Sequence, residues 1–183
     1  KVVGYFLKTK KEEGLKITQS NRDILREIIR NNVTKIGEDW VIEFTKLFSS
    51  PGSLHCFGIL GMYEMIAGGW HPKHIVSLNP EATPLCTAIA DHHRKCSQGL
   101  RISSLEDFED DTRAAKSSTV VIISNMLDDP AGTLSAIANI RWRVAKVLGI
   151  LVAIESVIEN REKIETAGYP VISLYSMKEI RGT

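Results

Sequence analysis

The 183-residue sequence predicts an α/β protein: an open, mostly parallel sheet with helices on both faces, preceded by a small N-terminal hood of helix and strand. Two observations predict it. From residue 74 onward, strand-like and helix-like segments alternate as β-α-β-α-β-α-β. The central strand candidates around Val120–Ile123 and Ile150–Ile154 are unbroken apolar runs, as parallel strands covered on both faces require.

The elements follow in order from the N-terminus. Residues 1–19 read as an arm and residues 20–183 as a single domain, long enough to bury a real core. Ser20 caps a helix whose first turn holds Asp23, and Ile24, Leu25, Ile28 and Ile29 recur at helical spacing up to Asn31-Asn32. Trp40 to Phe48 alternates as a strand, and Ser49-Ser50-Pro51-Gly52-Ser53 breaks it. Leu54 to Ala67 is a helix closed by Gly68-Gly69. His74 to Leu78 is a short buried strand, Asn79 to Pro84 a loop, and Leu85 to Arg94 a helix with Pro84 in its first turn. Leu105 to Lys116 is acidic and weakly apolar, which predicts an exposed, mobile loop with one helical turn at most. Strands are expected at Thr119–Ser124, Gly149–Ile154 and Val171–Leu174. Helices are expected at Gly132–Ile140 and at Glu159–Ala167, the latter stopped by Gly168.

Composition narrows the function classes. A net charge of +1 makes no whole-molecule case for nucleic acid or a membrane surface, and no apolar run approaches the roughly 20 residues of a membrane helix. Between Lys1 and Lys16 an apolar patch precedes the lysines, the wrong order for a secretory signal. Cys56, Cys86 and Cys96 are odd in number without CxxC spacing, which points to reduced thiols and an intracellular setting, cytoplasmic or organellar. His92 and His93 beside Cys96 make a poor metal cluster, because adjacent residues on a helix point about 100° apart. Arg141, Arg143 and Lys146 around Trp142 form a basic stripe with an aromatic, a candidate RNA contact. The plainer reading is a solvated helix face with one buried Trp.

In such sheets ligands bind beyond the carboxyl ends of the strands, and three of those ends are polar: Asn79–Thr83, Ser124–Thr133 and Glu155–Asn160. Gly132-Thr133 at a helix start adds small residues where backbone N–H groups meet an anion.

Three segments resemble the type I phosphoribosyltransferases, and the orotate enzymes in particular. HIVSLNPEATPLCTAIA (74–90) is similar to the family's strand, pyrophosphate loop and helix. VVIISNMLDDPAGTLSAI (120–137) is similar to its 5-phosphoribosyl 1-diphosphate (PRPP) motif. ILVAIESVIENREKIETAGYPVISLYSMKEI (150–180) resembles the orotate enzymes' closing strand, helix, strand and helix. The helix at 22–32 and a strand after Lys35 fit the family's hood. The resemblance implies a phosphate loop of Ser124, Asn125, Asp128, Asp129, Ala131, Gly132 and Thr133, and a pyrophosphate loop containing Asn79, Glu81, Ala82 and Thr83. It further implies a base site near Lys46, Glu155, Ser156 and Arg161, a PRPP or nucleotide-like ligand with Mg²⁺ if PRPP binds, and a homodimer or a subunit of a complex.

The residues depart from that pattern at three places. Where the family's motif has two acids for the ribose hydroxyls, this chain has Ser124-Asn125, which hydrogen-bond but carry no charge. Matching Asp128-Asp129 to those acids shortens the phosphate loop, keeping Ser124-Asn125 there lengthens it, and the plain reading of Asp128-Asp129-Pro130 is a helix-capping turn. The family's basic mobile loop corresponds here to a stretch carrying Glu106, Asp107, Glu109, Asp110 and Asp111, which repels a polyphosphate. The orotate enzymes' Asp-Arg pair reads Glu155-Ser156. These departures predict a weakened or inactive member acting by nucleotide, phosphate or partner binding. The alternative is an active orotate phosphoribosyltransferase making orotidine monophosphate.

Overall fold

Alternate residues of the central strands point to opposite faces and are apolar on both, which is why the sheet is a buried middle layer. In a computed structural model that describes residues 21–36, 39–94, 100–110, 118–142 and 146–181, five strands form one sheet in the order β4-β3-β5-β6-β7, every pair parallel. The strands are β3 (His74–Ser77), β4 (Arg101–Ser104), β5 (Thr119–Met126), β6 (Lys146–Glu155) and β7 (Val171–Ser176). The expected arm at 1–19 lies outside the described residues, as do Cys96 and Arg143.

Val121, Ile123, Leu151 and Ala153 face one side, where they meet α1 (residues 21–30), α2 (Phe44–Ser49), α3 (Pro51–Ala67), α4 (Thr83–Arg94) and α8 (Met177–Arg181). Val120, Ile122, Ile150 and Val152 face the other, under α5 (Leu105–Asp110), α6 (Pro130–Trp142) and α7 (Ile158–Thr166). A separate antiparallel hairpin of β1 (Val33–Ile36) and β2 (Asp39–Ile42) completes the hood. The Arg22–Glu64 ion pair and the Tyr175 hydroxyl, which donates to the Arg22 carbonyl at 2.7 Å, tie α1 to the body. Burial pushes the Tyr175 phenol well above its usual range, so it stays a donor. No helix among the described residues is long and apolar enough to cross a membrane.

Four expectations are corrected. The strand at Trp40–Phe48 ends at Ile42, and Phe44–Ser49 is helix α2. Phe44, Leu47 and Phe48 are three and four residues apart, and a helix buries Leu47 and Phe48 together as alternation could not. The breaker at 49–53 is itself a helix start: Ser50 caps, Pro51 takes the first position, and α3 begins there rather than at Leu54. The acidic stretch is not a mobile loop over 105–110. It forms α5, capped by Ser104, whose Oγ accepts from the Asp107 N–H at 3.0 Å, and anchored by the fully buried Phe108 edge-on to His74 at 5.0 Å. Residues 111–116 lie outside the described set. Finally, Trp142 is 89% exposed and not buried.

Candidate ligand-binding site

The chain reverses direction across the sheet between β3 and β5: β4 lies on one side of β3, and β5 through β7 on the other. Strand ends at such a switch point diverge and leave a crevice. A cleft of about 1060 Å³ opens there, bringing together Asn79 and Glu81 after β3, Ser124 to Asp129 at the end of β5, and Ser156 and Asn160 after β6. The hood and α8 supply its other wall through Trp40, Ile42, Phe44, Met177 and Arg181. Asn79, Ser124 and Glu155 all lie at this one carboxyl edge, as the parallel topology requires.

The β5–α6 turn is where the phosphate cradle was expected, and its geometry differs. Only Leu127, Asp128 and Asp129 separate strand from helix, because Pro130 takes the first helical position. Ala131, Gly132 and Thr133 therefore belong to the first turn of α6 and do not form a loop. Asp129 caps that helix: its Oδ1 accepts from the Gly132 N–H at 2.9 Å, and its carbonyl accepts from the Thr133 N–H at 3.1 Å and the Thr133 hydroxyl at 2.8 Å. A Cβ at Gly132 would lie 2.3 Å from Asp129 Oδ2, so a larger residue there would turn the carboxylate. The positive end of the α6 dipole already holds a carboxylate.

The sequence predicts a strand ending at Ser124, but β5 runs on to Met126. Asn125 as well as Ser124 therefore lies inside the strand, with Ser124 opposite Val152 and Met126 opposite Ile154. The apolar side of the ladder continues through them because β6 runs on to Glu155 and offers partners. Ser124 donates its hydroxyl to the Met126 carbonyl at 2.6 Å. Asn125, 3% exposed and among the residues lining the cleft, has no hydrogen-bond partner among the described residues for either amide atom. A buried amide with neither its donors nor its acceptor paired is costly, so a side chain kept in that state at a cleft marks a place for a polar ligand.

Asp128 accepts from Ser156 Oγ at 2.9 Å, and Asn160 donates to the Leu127 carbonyl at 2.9 Å, which locks the β5–α6 and β6–α7 turns together. After β3, Asn79 Oδ1 accepts from the Ala82 N–H at 3.0 Å, and the Ser77 and Thr83 hydroxyls pair at 3.3 Å, so this segment is a closed 3-10 turn (Pro80–Ala82) presenting Glu81.

The expected base site does not assemble. Arg161 is held by Glu155 at 3.5 Å and Glu165 at 3.0 Å, and Glu155, 7% exposed, also accepts from Ser173 at 2.7 Å. Lys46 lines a neighbouring groove with Glu43 and Ser49. What reaches the cleft instead is Arg181, 5.3 Å over the Trp40 ring. Trp40, Arg181 and Asn139 were not singled out from the sequence; they come from β2, α8 and α6, and no local spacing joins them. Among the described lining residues the charges are Glu81, Asp128 and Asp129 against Arg181, a net negative wall. Of the basic stripe, the described residues Arg141 and Lys146 lie on different elements and not on one helix face. Arg141 ends α6 with its guanidinium donating to the Tyr169 hydroxyl at 2.6 Å, and Lys146 begins β6.

A Mg²⁺-bridged diphosphate does not fit these residues. The positions expected to hold its ribose carry a committed hydroxyl and a neutral amide, and the nearest carboxylates are fixed by Ser156 and by the α6 N-terminus. Among the described residues no three His, Cys, Asp or Glu side chains group to hold a metal.

No protein-family model matches the chain, and no curated protein matches it in sequence. Solved structures match it in fold. The orotate phosphoribosyltransferase of Mycobacterium tuberculosis H37Rv superposes in its complex with inorganic phosphate with a TM-score of 0.67 at 16% identity, covering 88% of this chain and 91% of that one. Its complex with PRPP gives 0.65 at 14%, covering 88% and 92%. The adenine phosphoribosyltransferase of Leishmania tarentolae gives 0.65 at 13%, covering 85% and 88%. The chain has the phosphoribosyltransferase fold.

Proposed function

We propose that this protein is a non-catalytic member of the phosphoribosyltransferase fold that binds a ribose-bearing, nucleoside- or nucleotide-like ligand in the switch-point cleft. The observation that carries the reading is Asn125: a buried amide among the residues lining the cleft, with no hydrogen-bond partner among the described residues. Ser156, Asn160, Trp40 and Phe44 line the same cleft, a mixed polar and aromatic lining of the kind that suits a sugar with an attached ring.

Three features support the loss of turnover. The ribose-gripping acids are replaced by Ser124 and Asn125, Arg161 is engaged by Glu155, and the wall carries more acids than bases. Fold alone does not bring activity with it, because chemistry lives in the site. The bound phosphate and PRPP of the mycobacterial structures occupy a fold shared with this chain, and here the corresponding cleft is read as a binding site.

The test is orotidine monophosphate synthesis from orotate, PRPP and Mg²⁺, run beside thermal-shift measurements with a panel of ribonucleosides and their 5′-monophosphates. No product above the protein-free control, with a saturable rise in melting temperature for at least one of the panel, is the expected result. Product formation at a rate proportional to protein overturns the non-catalytic reading, and a panel without any shift overturns the ligand assignment.

A further inference from the structure

The α6 N-terminus and the buried Asn125 sit on the same cleft wall, and they are in opposite states. The helix end, which would attract a phosphate, is already occupied by Asp129, whose carboxylate accepts the Gly132 N–H at 2.9 Å. The amide, which would attract a neutral polar group, has no partner among the described residues. Resting on the ligand reading above, we propose that the cleft takes an uncharged ribonucleoside and that Asp129 excludes its 5′-phosphorylated counterpart.

Two effects of one side chain produce the exclusion. The first is occupancy: an external phosphate must displace Asp129 Oδ1 to reach the Gly132 N–H, and the first-turn Thr133 hydroxyl and N–H are committed to the Asp129 carbonyl. The second is charge. Asp128 and Glu81 line the same cleft, so a phosphate arriving there meets three carboxylates, with Arg181 as the one cation among the described lining residues. Asp129 satisfies the helix end internally, as a bound anion would. An uncharged nucleoside meets neither obstacle. Its hydroxyls or its base edge supply the donor and acceptor that Asn125 lacks among the described residues.

The experiment titrates the wild-type chain and Asp129→Ala with four ribonucleosides, their 5′-monophosphates, and ribose 5-phosphate. In the wild type at least one nucleoside is expected to bind ten-fold or more tightly than its monophosphate, with ribose 5-phosphate unbound. In Asp129→Ala the monophosphate gains at least ten-fold and ribose 5-phosphate binds, while the nucleoside changes less than three-fold. Asp129→Asn keeps a side-chain acceptor at the cap without the charge, and an intermediate gain there confirms that both effects act. A wild-type monophosphate as tight as its nucleoside overturns the proposal. If no nucleoside or nucleotide binds the wild type, the ligand reading fails by itself. The ribose 5-phosphate arm then still decides whether Asp129 fills the phosphate seat: a gain in Asp129→Ala supports that role, and no gain overturns it.

Discussion

Asn125→Leu is expected to make the ligand-free protein more stable and to abolish nucleoside binding. The side chain is 3% exposed and its amide has no partner among the described residues, so the folded state carries a desolvation cost of about 1–3 kcal/mol that an apolar side chain of similar size would not. Leucine also suits the position. Asn125 continues the Val121, Ile123 side of β5, which packs against the apolar face under the hood and α8. A gain of that size raises the melting temperature by several degrees in a chain of this length, at about 2–4 °C per kcal/mol. The same replacement removes the donor and acceptor that hold the ligand. Chemical denaturation and ligand titration of the one variant measure both effects. Lower stability with unchanged binding would mean that Asn125 is a structural residue with a partner of its own.

Phe57→Ala is expected to produce the largest loss of stability. Phe57 is fully buried at the middle of α3, edge-on to Phe48 of α2 at 5.5 Å and to Tyr175 of β7 at 6.4 Å. It joins the hood to the sheet. Truncation of such a ring costs about 3–5 kcal/mol through lost burial and the cavity left behind. At the same conversion the melting temperature falls by roughly 10 °C. Calorimetry of the variant measures this, with Phe57→Leu, which fills most of the volume, expected to lose less than half as much. A loss below about 1 kcal/mol would mean that the hood does not depend on this contact.

Those two residues also mark what the sequence does and does not reveal. The apolar runs at Val120–Ile123 and Ile150–Ile154 are strong because both faces of those strands are covered, and the parallel sheet follows from them. β4 was missed because Arg101–Ser104 is a short edge strand with a single large apolar residue, Ile102, and leaves no run to detect. The expected strand at Trp40–Phe48 overruns because β2 and α2 are joined by the single residue Glu43 with no breaker between them, and the i, i+3, i+4 spacing of Phe44, Leu47 and Phe48 becomes decisive only against the core that receives Leu47 and Phe48. In α5 four acids hide one anchoring phenylalanine. β5 was read two residues short because Asn125 looks like a loop residue, and it looks so because it is a polar side chain held in a buried ladder position. In the cleft, the capping role of Asp129 was legible, since cap, proline and glycine are adjacent in sequence. The Arg161–Glu155 pair and the Arg181–Trp40 stack were not: the first depends on how a helix docks, and the second joins residues 141 positions apart (181 − 40).

The central claim is that Asn125 receives an uncharged ligand in a cleft that no longer accepts PRPP. The most direct measurement is the side-chain amide resonance of Asn125, assigned by its loss in Asn125→Leu and followed by NMR. Addition of the nucleoside that binds is expected to move that resonance saturably, and addition of PRPP with Mg²⁺ to leave it in place. Movement with PRPP and Mg²⁺, or saturable nucleoside binding that leaves the Asn125 amide where it was, would contradict the account.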